Sequence, residues 1–390
     1  MYSKKHIVIS VIVTFAVTAL AVSGIYTVMD AGKPKDVLLE AKEIIVDNYV
    51  DTLTQEQLDD MNDAAIAAMV ASLNDPYSYY FDMEAFDQYE ENNKEEYVGI
   101  GVNVSYNAEA GTLTVTSPTA GAPAEKAGIL PLDLIVGVDD LTLEKDGYDA
   151  IIDHIKGGKA GDTVKIHILR NEKALTFDVE RAVITLDTIS GKMLDGDIAY
   201  IRISEFQHNS VEDFKAALDD IKQKGAKGLI IDLRSNPGGY ADSVIQMTDM
   251  LLPKGTIAYL EDNKGNKEYF ESDAKCINLP MVVLVNEGTA SAAELMSGSL
   301  QAYDLATIVG KKTYGKAVGQ SPYMLTEETA IYLTSARYFT PKGNCIDKKG
   351  IVPDVEVDLT QEQKARLSTL PEEEDTQLQA GITALKERIQ

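Results

Sequence analysis

Two residues of this chain stand in settings that suit covalent chemistry. Ser291 lies in Val285-Asn286-Glu287-Gly288-Thr289-Ala290-Ser291-Ala292-Ala293-Glu294, and Lys316 in Thr313-Tyr314-Gly315-Lys316. The serine follows an apolar run, 281–285, that reads as a buried strand, and the small residues after it read as a helix start. A serine at such a junction has an exposed hydroxyl near the positive end of a helix dipole, which suits a nucleophile. A base is harder to find. The four histidines are His6, His154, His167 and His208, and none is near Ser291 in sequence. His208 is most simply a surface polar residue, so a Ser-His-Asp arrangement is disfavoured.

A lysine serves as base if it is neutral, and burial favours that form by penalising the ammonium. Lys316 sits between Gly315 and Ala317-Val318-Gly319, whereas Lys311 and Lys312 stand together and read as solvated. Gln320, four residues on, could hold the amine by a hydrogen bond. The plainer reading of Lys316 is a loop lysine in water, the usual fate of lysine. Acyl transfer also needs two N–H groups aimed at the developing oxyanion. Ala292 offers one, and the turn Asn236-Pro237-Gly238-Gly239, after the apolar run 228–233, offers another. An ordinary strand-to-helix turn is the alternative there. Asp232-Leu233-Arg234 reads as a structural ion pair.

A third feature precedes these. Tyr97-Val98-Gly99-Ile100-Gly101-Val102 could present backbone N–H groups to a peptide carboxylate at a strand start, as in strand addition. Alone this Gly-x-Gly run is weak. Gly121-Ala122-Pro123-Ala124-Glu125-Lys126-Ala127-Gly128-Ile129 and Asp133-Leu134-Ile135 follow it at a spacing that resembles a PDZ domain.

Distinct regions must position these residues. Residues 35–95 read as helical: Val37, Leu38, Ala41, Ile44, Ile45 and Tyr49 recur at helical spacing, and Thr54 with Gln57 makes a capping box. Those helices need a surface to pack on, either a partner subunit or the body of the same chain. Residues 97–182 read as a compact β module, with strands at 98–104, 112–116, 134–138, 164–169 and 175–179 and one helix at 148–155. Residues 195–358 alternate strand and helix, which argues for a sheet covered by helices. The tail, 360–390, is charged and helix-prone, interrupted at Pro371.

With 390 residues, 45% of them hydrophobic, the chain can build two or three cores. A net charge of −26 argues against nucleic acid as a partner. Lys4, Lys5 and His6 precede an apolar run at 7–29, which fits one membrane-spanning helix with the rest of the chain exported. A cleaved signal peptide is the competing reading; the lack of a clean small-x-small site favours the uncleaved anchor. Cys276 and Cys345 could pair outside the cytoplasm, and no spacing supports a zinc site.

Together these motifs resemble the carboxyl-terminal processing peptidases, the tail-specific serine proteases with a PDZ domain. Further stretches carry the likeness: Asn74-Asp75-Pro76-Tyr77-Ser78-Tyr79-Tyr80, Tyr200 to Phe206, Tyr338-Phe339-Thr340-Pro341-Lys342-Gly343 and Lys349-Gly350-Ile351-Val352-Pro353-Asp354. The resemblance covers about 35–358. With the residue pattern at the two ends, the expectation is a mixed α+β and α/β multidomain fold: a membrane anchor or signal segment at 1–32 and a helical tail at 359–390, and, as the resemblance implies between them, a helical region at 33–95, a PDZ domain at 96–183 and a ClpP/crotonase-like protease core at 184–358. The resemblance implies Ser291 as nucleophile, Lys316 as general base, Gln320 orienting the lysine, and Ala292 with Gly238 or Gly239 as the oxyanion hole. Val98, Gly99, Ile100 and Gly101 would bind the peptide carboxylate. No metal and no cofactor are implied. The implied partners are protein substrates with exposed apolar C-terminal tails, a second copy through the N- and C-terminal helices, and an activating protein.

The chain departs from the family pattern at three places. Leu130-Pro131-Leu132-Asp133 replaces a Gly-Asp turn, Lys156 stands where relatives that couple the PDZ domain to activity can carry arginine, and Ala317-Val318-Gly319 follows Lys316. The rival expectation is an inert PDZ scaffold at the membrane, and a third is an acyltransferase using the same dyad.

Overall fold

A computed structural model describes residues 36–390, apart from 93–95, 109, 120, 186, 274 and 328. The apolar run at 7–29 and its basic flank lie outside the described residues. Among the described residues no helix is long and apolar enough to cross a membrane.

Two compact units divide at Leu73 and Asn74. In the first, helix α1 (Val37–Asn48) starts on Asp36, whose carboxylate accepts the Leu39 N–H. Helix α2 (Gln55–Ala71) starts on the expected capping box: Gln57 N–H donates to Thr54 Oγ1 at 3.3 Å, and Thr54 N–H to Gln57 Oε1 at 2.9 Å. Lys42 donates to Asn62 across the two helices. Val37, Leu38, Leu39, Ile44 and Ile45 of α1 remain exposed.

The second unit opens with a short strand where helix was expected, β1 (Tyr79–Phe81), then α3 (Met83–Asn92) and β2 (Glu96–Gly99). The β module follows: β3 (Val102–Asn107), β4 (Thr112–Pro118), α4 (Pro123–Ala127), β5 (Leu134–Val138), β6 (Leu141–Thr142), α5 (Leu143–Lys156), β7 (Thr163–Arg170) and β8 (Lys173–Glu180). Its sheet runs β3-β4-β5-β7-β8, with β6 on β5, so β3 is an edge. Leu113, Val115, Ile135, Val164, Ile166 and Ile168 alternate inward against Ile151 and Ile155 of α5. Gly147 leaves helical geometry, so the regular part of α5 starts at Tyr148, as the periodicity predicts. Strand β9 (Ala182–Thr185) returns to pair with β2.

Two sheets build the remainder. One is β10 (Ile189–Leu194), β11 (Ile198–Ile203), β12 (Gly228–Asp232), β15 (Met281–Val285), β16 (Ala306–Gly310) and β19 (Val355–Glu356), in that order, with β11 to β19 parallel. Its right to be continuously apolar comes from burial on both faces. Ile201, Ile203, Leu229, Ile231 and Val283 face α6 (Ser210–Gln223), α7 (Ala241–Asp249) and α8 (Ala292–Ala302). Ile198, Ile230, Val282, Leu284 and Val309 face the C-terminal helix α10 (Thr376–Ile389), which follows the short α9 (Gln361–Ala365). The second sheet joins β1, β18 (Ala330–Phe339), β13 (Gly255–Asp262) and β14 (Lys267–Ser272), with β17 (Val318–Met324) also on β18. The β13–β14 hairpin and β10 were not expected from sequence.

Candidate active site

Ser291 is the residue on which strand β15 turns into helix α8. Its backbone has φ 55° and ψ −119°, a conformation that costs an L-residue about 1–3 kcal/mol. Side chains around it hold that strain. Thr289 Oγ1 donates to Leu233 O at 2.8 Å, Ala290 N–H to Asn236 O at 2.9 Å, and Asn236 Nδ2 to Ile203 O at 2.9 Å. The Ser291 turn and the glycine turn after β12 are therefore tied to each other and to the end of β11.

Glu294 joins the serine to the lysine loop. Its fully buried carboxylate accepts the N–H groups of Ser291 (3.0 Å), Gly315 (2.7 Å) and Lys316 (2.8 Å), and the Thr313 hydroxyl. Burial pushes its carboxyl above the ordinary value, and the four donors work against that. On the other side, the buried Tyr338 hydroxyl lies 2.9 Å from Ser291 O and 3.0 Å from Lys316 O, one proton serving two carbonyls. Sequence reasoning gave Glu294 no role, although Ser291-x-x-Glu294 is itself a capping-box pattern. Gly315 has φ 92°, and a Cβ there would stand 2.8 Å from Gly350 N, so only glycine fits this approach to the lysine.

Ser291, Lys316 and Gln320 line one cavity of about 630 Å³, together with Gly239, Ala292, Val244, Leu260, Leu295 and Tyr77 among others. Among the described residues no histidine lines it. His208 stacks on Tyr240 at 4.0 Å and lies 3.4 Å from Asp242, while His154 and His167 hydrogen-bond around Asp139 in the β module. The Lys316 amine sits 4.5 Å from the centre of the Tyr77 ring. Burial pushes its pKa below the ordinary lysine value, opposed by the charge of Asp75. Among the described residues no hydrogen bond joins Lys316 to Ser291 or to Gln320. The Gln320 amide donates instead to Thr334 Oγ1 at 3.1 Å, across the β17–β18 hairpin. The expected lysine–glutamine contact is thus not made here, because the lysine extends toward Tyr77.

The glycine turn separates its two candidates. Gly238 N–H already donates to Asn236 Oδ1 at 2.8 Å. A Cβ on Gly238 would stand 2.8 Å from Ser291 Cβ, so this glycine gives close approach. Gly239 pairs with Phe206 through its neighbours' groups and lines the cavity, and its own N–H has no hydrogen-bond partner among the described residues. Ala292 N–H, first in its helix, is also uncommitted. Behind the turn, the buried Arg234 binds Asp232 (Nη2–Oδ2 2.6 Å) and Asp375 (2.8 Å), the ion pair expected from sequence plus a partner from the tail.

In the β module, Val98 and Gly99 pair with Val183 and Ala182. Ile100 and Gly101 form the turn into the edge strand β3, with their carbonyls taken by Ala124 and Thr119 N–H groups. Their own N–H groups have no partner among the described residues. Lys156 is exposed at the end of α5, with no ion pair among the described residues. The buried Arg181 caps that end instead, donating to His154 O (2.7 Å) and Ile155 O (3.0 Å). Cys276 and Cys345 are both free thiols.

Comparison with known proteins agrees with this geometry. Residues 197–357 match Peptidase family S41, 97–180 match the PDZ domain, and 29–85 match the Activating protease CtpB N-terminal domain. The carboxy-terminal processing protease CtpA of Bacillus subtilis is 35% identical over 327 residues, 83% of this chain and 69% of that protein. The chain belongs to the carboxy-terminal processing proteases of peptidase family S41. It is a serine peptidase with a PDZ domain. The carboxyl-terminal-processing protease of a Synechocystis strain is 33% identical over 82% of this chain and 76% of its own length. Among solved structures, a photosystem II D1 C-terminal processing protease superposes with a TM-score of 0.51 at 26% identity, covering 82% of this chain and 92% of that one. Within this family setting, the β module is the PDZ domain and the two-sheet body is the protease core.

Proposed function

We propose that this protease cuts its substrates with Ser291 as nucleophile and Lys316 as general base. The observation that carries the reading is one cavity holding a serine on a strained, multiply tethered turn and a half-buried lysine, with no histidine along its walls among the described residues. Neutral Lys316 takes the Ser291 proton as the hydroxyl attacks the scissile carbonyl, and water later hydrolyses the acyl-enzyme. The N–H groups of Gly239 and Ala292 serve the oxyanion, since Gly238 N–H is committed to Asn236. Gln320 takes up the lysine once it turns from Tyr77.

Substrates are proteins with exposed apolar C-terminal tails. The tail adds to the free edge of β3, and its carboxylate meets the N–H groups at Ile100 and Gly101. The segment at 7–29 anchors the enzyme in a membrane with the catalytic body outside the cytoplasm. Pairing of two copies rests on the exposed apolar face of α1, because α10 is occupied by its own chain's sheet. The match of 29–85 to an activating protease's N-terminal domain favours control by a partner protein.

The test is cleavage of a protein with an apolar C-terminal tail. Ser291→Ala and Lys316→Ala should each abolish it while the fold persists by circular dichroism. Full activity in Lys316→Ala would remove the lysine from the mechanism. Failure of the wild-type enzyme to react with a fluorophosphonate, even with a tail peptide present, would favour the inert scaffold.

A further inference from the structure

The segment ahead of β1, one of the stretches that carry the family resemblance, reaches Lys316. Asp75 is fixed by the Ser78 hydroxyl at 2.5 Å and by Tyr77 N–H at 3.2 Å. Ser78 Oγ in turn accepts Thr334 N–H at 2.9 Å, and β1 zips onto β18 at Tyr79–Tyr332 and Phe81–Ala330. The segment is therefore attached to the hairpin strand that also bonds Gln320. Tyr77 places its ring face 4.5 Å from Lys316 Nζ and its hydroxyl 3.4 Å from that of Tyr314.

We propose that Asp75 and Tyr77 are positioning residues for Lys316: they form a seat for its ammonium, and the amine must leave that seat to serve Ser291. This rests on the Ser291–Lys316 reading. A cation gains from an aromatic face and from a nearby carboxylate, and a neutral amine gains little from either. Burial of Tyr77, with the Tyr314 contact and neighbouring charges, raises its hydroxyl to about 12, so the ring stays a neutral phenol. Burial raises Asp75, but bonds from Ser78, Thr334 and Tyr77 and the Lys316 charge hold it below its ordinary value, so it stays an anion. The other ionisable groups around the lysine are accounted for. Glu294 and Tyr338 are spent on the backbone of Ser291 and Lys316, Tyr314 faces Tyr77, Asp347 acts on Tyr77 and Tyr338, and Glu205 lines the cavity. Among them Asp75 is the anion that acts on Lys316. The seat and burial thus pull the lysine in opposite directions, and the seat delays formation of the free base.

The experiment reads the lysine without turnover. In full-length Ser291→Ala protein, trace labelling of Lys316 with acetic anhydride is followed against pH by peptide mass spectrometry, with Lys311 and Lys312 as internal references. Asp75→Asn and Tyr77→Leu should each shift the labelling midpoint to lower pH and raise labelling at neutral pH about threefold or more. Tyr77→Phe, which keeps the ring, should label like its parent. Opening the site by Tyr77→Leu could speed labelling, but access alone would not move the midpoint, and the near-isosteric Asp75→Asn opens nothing. Unmoved midpoints in both variants overturn the seat, while loss of cleavage in Lys316→Ala would still leave the dyad standing. In the active enzyme the same two variants should move the rising limb of cleavage against pH in the same direction. Shifted labelling with an unmoved limb would overturn the lysine as base.

Discussion

Glu294 and Tyr338 make the serine and the lysine parts of one object: one side chain collects their N–H groups and the other their carbonyls. Glu294→Gln brings an amide N–H₂ where only acceptors fit. It should lower kcat at least tenfold and cost about 2–3 kcal/mol in a urea melt, since buried donors lose their acceptor. The rate should depend on pH through Lys316. Burial lowers its pKa from the lysine range, so kcat/KM should rise with pH and level off below the pH at which a free lysine titrates. A profile flat from acid to alkaline pH would exclude a lysine base. The same shift has a stability sign. A lysine whose folded pKa is depressed destabilises the fold fully below that folded pKa, and the penalty fades as pH rises from the folded pKa to the unfolded one. Lys316→Met should therefore melt higher than wild type at neutral pH, with the gap closing in alkali, by calorimetry.

At the scale of elements, the proposed reading puts tail recognition on the PDZ edge strand β3 and the turn before it. Tyr106 of β3 and Tyr148 of α5 stack with ring centres 4.8 Å apart, joining the edge strand to the helix. A tail peptide should bind to Ser291→Ala protein by its last few residues, and C-terminal amidation should weaken binding about tenfold or more in fluorescence anisotropy. At the unusual turn Leu130-Pro131-Leu132-Asp133, the buried Asp133 binds Arg170 through two bonds of 2.7 Å. Leu132 bears the strain, with φ 72° and an exposed side chain. Leu132→Gly should be stabilising by about 0.5–1 kcal/mol in thermal melts.

At the scale of the whole molecule, the C-terminal tail is part of the protease core. Leu378, Ala384 and Leu385 of α10 close the second face of the parallel sheet, and Asp375 joins Asp232 on the buried Arg234 next to the glycine turn. Asp375→Ala leaves a buried guanidinium short of a partner and should cost about 3–5 kcal/mol in a urea melt. Burial would raise Asp232, yet Arg234, Arg202 and Tyr200 hold its carboxyl below the ordinary value. Its contribution is present above the unfolded pKa and is lost as pH falls through the folded one, so acid unfolding should begin below the usual carboxylate range.

Much of the fold was legible because local rules governed it. The Thr54–Gln57 box, the Tyr148 start of the α5 helix, and the strands at 134–138 and 281–285 follow from capping and periodicity. The sequence by itself placed Ser291 at a strand-to-helix turn and left lysine as the available base, since histidine was scarce and distant. It could not show that β1 lies on a strand 250 residues away, or that Lys316 rests on Tyr77 while Gln320 bonds Thr334. Those contacts, like Glu294 gathering four donors and Asp375 reaching Arg234, join side chains far apart in the chain. Their partners are chosen by how the sheets pack, which no local pattern of residues encodes.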